Sequence, residues 1–425
     1  MFMHPHTETP AGDPIAIAQT GIRLRNEGNY PEAAQIFKAL IDRFPERVYG
    51  WQELAVLQAA QGAGDQALRL FRQAARIDPT DFQSCKHLVL HEIGLGRLAD
   101  ARASLAAHQP RTARDRQMIE MYRYFVDYIE AYPERRALGL VDRFEKGGRF
   151  LPPAMVEERI LAAVADKTPL SLIRLGDGEG AWLSLSPEDE AKFAPLYEAN
   201  RRKTLKVWFG TDAPYESREF MASRGRLLKA VRDADVIGVP YGLRIAHEYR
   251  VLGLNGVASC VNILRALDPA DAGKGYCSQD IHVDLHQSGF FPKLLGLPVD
   301  VGVVSCHPDL GYRLAKRWGA RVTRMLIVPE EMGFAEVADG LSAITGISGL
   351  SEPHFPLVYN RILEKLLGGA GQARVWLVAA GYFGKIYCDA IRDGGGVALD
   401  VGSIVDGWCG NVTRPYLQSI AAYRL

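Results

Sequence analysis

A period of about 34 residues governs the first part of the chain. Gly28, Gly62 and Gly96 recur at that spacing, and with them Ala33, Ala67 and Ala101, then Phe37, Phe71 and Leu105, then Pro45 and Pro79. A unit of that length is one helix pair, with glycine in the turn between helices, small residues where helices cross, and proline between units. A single pair cannot bury its own apolar face, so successive pairs must stack. Residues Asp13 to about Gln109 are therefore expected to form three helix pairs in a short solenoid.

The segments GNYPEAAQIFKALIDRFP and GAGDQALRLFRQAARIDP resemble the second helix of tetratricopeptide repeats, and Trp51 and Leu54 match the first helix of the middle repeat. The outer repeats depart there, with Ile17 and Thr20 in one and Cys85 and Leu88 in the other, as capping units do. The resemblance implies a concave surface that binds an acceptor or a protein partner. Internal packing or self-association is the alternative. From Thr112 to Phe144 the helical pattern continues, with Met118, Met121, Tyr122, Phe125 and Tyr128 on one face. That face is expected to cover the open end of the solenoid. Gly147-Gly148 and Pro152-Pro153 then mark a boundary. The division expected is repeats over 13–109, a helical linker or cap over 110–150, and a second domain over 151–425.

The length of 425 residues accommodates two domains with their own cores. Fifty basic residues balance fifty acidic ones, which argues against bulk attraction to nucleic acid. Met1 to Pro14 lacks the apolar core of a signal peptide, and no apolar run is long enough to span a membrane. The six cysteines include no C-x-x-C pair, so free thiols in a reducing cytoplasm are expected. Any association with the inner membrane would be peripheral and through partners.

Beyond Met155 short apolar runs alternate with amphipathic segments. The expected strands are Leu170 to Leu175, Thr204 to Phe209, Val236 to Val239, Val299 to Ser305, Val322 to Val328, Val375 to Ala379 and Val397 to Val401. Helices are expected over Arg218 to Val231, Leu310 to Trp318 and Val358 to Leu367. The alternation predicts a mostly parallel, Rossmann-like sheet covered on both faces, with ligands at the strands' carboxyl ends.

The first strand runs into Gly176-Asp177-Gly178-Glu179. In extended chain, residues two apart point the same way, so both carboxylates could reach one ion. Oxygen-only ligation suits Mg²⁺ or Mn²⁺. Gly176 and Gly178 would let a diphosphate approach the backbone; a plain surface turn is the other reading. The run SLIRLGDGEGAWL resembles the opening motif of bacterial glycosyltransferases of the GT-D fold, and VWLVAAGYFGKIYCDAIRDGGGVALDVGSIVDGW is similar to that family's closing strand–helix–strand. The resemblance implies that Asp177 and Glu179 bind the metal of a nucleotide-sugar, UDP-linked by family likeness. The metal would neutralise charge on the leaving diphosphate. The acceptor would be a glycan or glycoprotein, in polysaccharide or protein-glycan assembly.

Other candidates follow one at a time. Arg174 could contact phosphate or anchor the strand to a neighbour. Trp182 could stack on a base, or pack under the next helix. His282, Asp284 and His286 alternate, and could bind zinc from a strand or a helix, or one could serve the acceptor as a base. Glu330 and Glu331 follow a strand, where either could be the general base or simply an acidic helix start. His307 and Asp309 lie beyond another. Gly381 opens a helix that carries Lys385, an arrangement able to hold phosphate through backbone N–H groups, though it is not a P-loop. Two other classes stay open: a zinc-dependent hydrolase centred on His282, Asp284 and His286, and a non-catalytic interaction scaffold.

Overall fold

The computed structural model describes residues 13–331, 346–368 and 373–421, so all but the last two residues of the Met1 to Pro14 segment fall outside it. The chain divides into two compact units, one ending at Ala131 and the other beginning at Tyr132.

The first unit is the expected solenoid. Helices α1 (Pro14–Asn26), α2 (Tyr30–Arg43), α3 (Val48–Ala60), α4 (Gly64–Ile77), α5 (Phe82–Gly94) and α6 (Leu98–Ala107) form three pairs, each packed on the next. The repeated positions behave alike because they meet the same geometry three times. Gly28, Gly62 and Gly96 have φ of 85°, 79° and 73°, a left-handed backbone that disfavours any side chain carrying a Cβ. Ala33, Ala67 and Ala101 are wholly buried where helices cross, and Phe37, Phe71 and Leu105 fill the layers between. Helix α7 (Ala113–Ala131) packs on α6 with Tyr122, Phe125 and Tyr128 buried.

The segment expected to be one cap is two helices. Pro133 cannot donate a helical hydrogen bond, and it starts α8 (Glu134–Glu145) afresh. Helix α8 packs on the helices Gly242–Val251 and Leu254–Ala266, and Phe144 meets Tyr276 edge to face at 4.9 Å between ring centres. The division between units therefore lies earlier than the Gly-Gly and Pro-Pro signals, at residues 131 and 132.

The second unit is built on a seven-stranded sheet, β1 (Leu170–Arg174), β2 (Val236–Val239), β3 (Gly275–Ser278), β4 (Asp300–Ser305), β5 (Arg321–Ile327), β6 (Val375–Val378) and β7 (Val397–Asp400). Its order is β3-β2-β1-β7-β6-β4-β5, and every pairing is parallel. Buried strand residues such as Leu172, Val236, Val303, Leu377 and Leu399 share one core with Leu294, Leu310, Leu314 and Trp408 from the covering helices. Six strands lie where the apolar runs place them. The run Thr204 to Phe209 does not: it is the end of a helix, Ala194–Phe209, whose buried Leu196, Asn200 and Thr204 recur every fourth residue until Gly210 stops it at φ 71°. The sheet's seventh strand is β3, whose GYCS sequence has too few apolar residues to read as a strand. Among the described residues no helix is long and apolar enough to cross a membrane.

Candidate functional site

A cleft of about 660 Å³ opens at the carboxyl ends of the strands. It gathers Asp177 after β1, Asp280 after β3, Cys306 after β4, Glu330 and Glu331 after β5, Gly381 after β6 and Ser403 after β7. Open parallel sheets expose their strand ends and helix starts there, which is why this edge collects polar groups.

After β1 the chain does not stay extended. Asp177–Gly180 is a single helical turn, so the two carboxylates do not share one side as an extended chain would place them. Asp177 is exposed at the cleft, and its Oδ2 lies 3.5 Å from Asn255 Nδ2. Glu179 is 7 % exposed. Its Oε2 accepts a hydrogen bond from Gly176 N at 3.0 Å, and its Oε1 pairs with Lys385 Nζ at 2.8 Å. The glycines serve packing as well as the cleft. A Cβ on Gly178 would lie 2.7 Å from the Trp208 ring, and one on Gly180 would collide with the Ser259 carbonyl.

Beneath the turn lies a buried set of four charges. Lys385 Nζ reaches Asp400 Oδ2 at 3.2 Å as well as Glu179, and Arg174 Nη2 pairs with Asp400 Oδ1 at 3.2 Å. Arg174 Nε also donates to the Asp400 carbonyl at 2.9 Å, so this arginine ties β1 to β7. Two cations and two carboxylates leave the set neutral, as burial demands. Burial alone would raise the Asp400 carboxyl, but Arg174 and Lys385 outweigh it and hold the group below its ordinary range. Burial likewise opposes the Lys385 charge, and Asp400 and Glu179 reverse that effect. Neither Arg174 nor Lys385 is a free phosphate ligand.

The remaining candidates separate. His282 is buried; Arg174 Nη1 lies 2.9 Å from its Nδ1 and Tyr416 Oη 3.2 Å from its Nε2. Burial first, then Arg174 and Lys385, push its pKa well down, so it is a neutral imidazole. His286 is outside the cleft, with Nδ1 accepting from Trp408 Nε1 at 3.2 Å. Both histidines lie on the helix Ile281–Gln287 with different partners, and with Asp284 they form no ligand cluster among the described residues. The zinc arrangement that their spacing would allow is therefore not formed among the described residues. Glu330 Oε1 accepts from Ile347 N at 2.9 Å. Burial would raise that carboxyl, but Ser348 and backbone N–H groups hold it low. Glu331 differs: burial drives its carboxyl up, Arg414 opposes, and Asp406 and Glu179 add to the rise. Trp182 is core, donating from Nε1 to Thr204 Oγ1 at 2.9 Å.

Several cleft residues were not singled out from sequence. Trp208, read as part of a strand, is the half-buried cleft tryptophan and packs on Tyr382 with ring centres 4.9 Å apart. Lys203 lies five residues earlier on the same helix. Arg244 pairs with Glu248 at 2.6 Å, and Asp177 acts on both: burial raises Glu248 and Asp177 adds to it, against Arg244. No motif marks these positions, since they reach the cleft from covering helices.

Residues 151–344 match the model of the GT-D fold-like domain, and residues 19–82 match that of the tetratricopeptide repeat. No curated protein matches the chain. Among solved structures it is similar to yeast Tom70, at 15% identity over 67% of this chain and 55% of that one, with a TM-score of 0.23. It therefore spans about half the length of that relative. It is also similar to a mutant O-GlcNAc transferase from Thermobaculum terrenum, at 12% identity over 96% of this chain and 78% of that one, with a TM-score of 0.26. Scores this low bear on neither fold nor activity.

Proposed function

We infer from a chain that joins tetratricopeptide repeats to a GT-D-like domain that it is a glycosyltransferase. It moves a sugar from a nucleoside-diphosphate donor, UDP-linked, to a glycan or glycoprotein acceptor, and the repeats hold that acceptor or a partner protein. The free cysteines suit a reducing cytoplasm. The observation that carries the reading is the exposed Asp177 at the carboxyl edge of the sheet, in a cleft that also offers Lys203 and the face of Trp208.

Whether these residues suit Mn²⁺ or Mg²⁺ turns on their free oxygens. Both Glu179 oxygens already have partners, whereas Asp177 is exposed. The fit is to an ion held by Asp177 together with donor phosphates, a sharing usual for Mg²⁺, with Glu179 fixing the turn that presents Asp177. When bound, such an ion supplies Lewis-acid neutralisation of the leaving diphosphate. Lys203 adds positive charge at the cleft, and Trp208 offers a stacking face for the base. Of the four candidate bases, His282 and Glu330 are held by other groups and His286 lies outside the cleft. Glu331 remains. Its raised carboxyl makes it the stronger base, suited to take a proton from an acceptor hydroxyl.

Calorimetric binding of UDP, with and without Mn²⁺, tests this on the full chain. Binding that needs Mn²⁺ and is lost in Asp177→Asn is the expected result. A folded wild-type protein that binds no UDP under either condition would remove the donor assignment.

A further inference from the structure

A second constellation stands where β4 ends, and the transfer reading gives none of its side chains a donor-binding or base role. Cys306 and His307 follow β4, and Asp406 comes from the helix Ile404–Trp408 after β7. One ligand atom from each lies within 4.8 Å of the others. No other group of three or more such residues does so among the described residues. His307 Nε2 is 2.8 Å from Asp406 Oδ1. Thr413 Oγ1 donates to Asp406 Oδ2 at 2.7 Å, fixing the carboxylate from behind. His307 is 1 % exposed and Asp406 8 %, while Cys306 is half-buried, and both Cys306 and Asp406 line the cleft.

The donor set is chemically distinct from the Asp177 turn. A thiolate and an imidazole select zinc over the hard cations that all-oxygen sites prefer. Three protein ligands with one position left open is the pattern of reactive zinc sites. Tetrahedral zinc spaces its ligands about 3.5 Å apart, so the His307–Asp406 pair needs to part by less than about 1 Å. The Thr413 hydrogen bond is the outer support that ligating carboxylates have in such centres.

We propose that Cys306, His307 and Asp406 bind a thiophilic divalent cation, zinc in preference to Mn²⁺ or Mg²⁺, with its fourth position open to the cleft. This site is independent of the donor reading, because it shares no ligand with Asp177.

The test is titration of the full metal-free chain with Co²⁺, read by visible absorption. One equivalent is expected to give the intense bands of tetrahedral cobalt together with a thiolate charge-transfer band, all erased by Zn²⁺. Cys306→Ser is expected to abolish the thiolate band, and Thr413→Val to weaken binding roughly tenfold. Cys409→Ser and Asp177→Asn are expected to keep both bands, the latter while losing Mn²⁺-dependent UDP binding. A folded wild-type chain without a thiolate band overturns the proposal. So does a band that survives Cys306→Ser, or one lost in Cys409→Ser. Circular dichroism confirms that each variant is folded, and the two wild-type outcomes decide the matter even where a variant is not.

Discussion

Lys385→Met is the most informative single change to the second unit. The ammonium sits 2.8 Å from Glu179 and 3.2 Å from Asp400, with 5 % of the residue exposed. At an effective dielectric of about 20 those contacts are worth about 6 and 5 kcal/mol gross, set against the cost of burying the ammonium. Removing it leaves two buried carboxylates facing Arg174 alone, so the loss is expected in the range of about 3–5 kcal/mol for a broken buried pair. The assay is urea unfolding followed by tryptophan fluorescence, since five of the six tryptophans lie after Tyr132. With a slope of about 3 kcal/mol per M, the midpoint falls by about 1–1.7 M. Adding Glu179→Gln to Lys385→Met restores charge balance and is expected to recover at least about 1 kcal/mol. Acid supplies an independent readout. The lowered Asp400 carboxyl contributes stability above its unfolded value near 4, and that contribution is lost as pH falls through the folded value. The Lys385→Met variant has less to lose, so its stability falls less between about pH 5 and 3. A loss under about 1 kcal/mol, or strict additivity in the double variant, would refute the account of a neutral, mutually compensated set.

Three further outcomes are expected. Trp208→Ala removes the stacking face and weakens UDP binding roughly tenfold by calorimetry, while Trp182→Phe, a change in the core, leaves binding within about twofold. Glu331→Gln lowers kcat by about 10²–10⁴ with UDP binding intact. In wild type the rate rises with pH through the raised Glu331 pKa, because the base must be ionised, and the variant loses that limb. Gly62→Ala meets no neighbour within 4 Å, so only its φ of 79° resists the change. It should destabilise the repeats by about 1–2 kcal/mol, seen as faster amide exchange over α3 and α4.

What could be read from sequence tracks how local the cause is. The solenoid was legible because the same turn, crossing and layer recur three times along the chain. Central strands such as β2 and β6 were legible because burial on both faces makes them continuous apolar runs. The run from Thr204 failed, since its apolar residues fit either period and only the helix begun at Ala194 decides between them. The Asp177 turn announced itself by two carboxylates directly after a strand. The fate of Glu179 did not, because its partner Lys385 lies far along the chain. The same distance hid the ties from Arg174 to Asp400 and from His307 to Asp406. Histidines alternating at 282 and 286 suggested one metal, whereas the fold gives each a separate partner.

The place of β7 in the sheet has a consequence for the order of assembly. It pairs with β1 on one side and β6 on the other, and among the described residues no other strand joins the two groups. A growing chain that has made everything up to β6 therefore cannot join β3-β2-β1 to β6-β4-β5, and any pairing within either group leaves it with a bare inner edge. The repeats need no such wait, since their contacts are between neighbours and can close during synthesis. The second unit must keep two sticky edges apart until its last strand emerges and seals both at once.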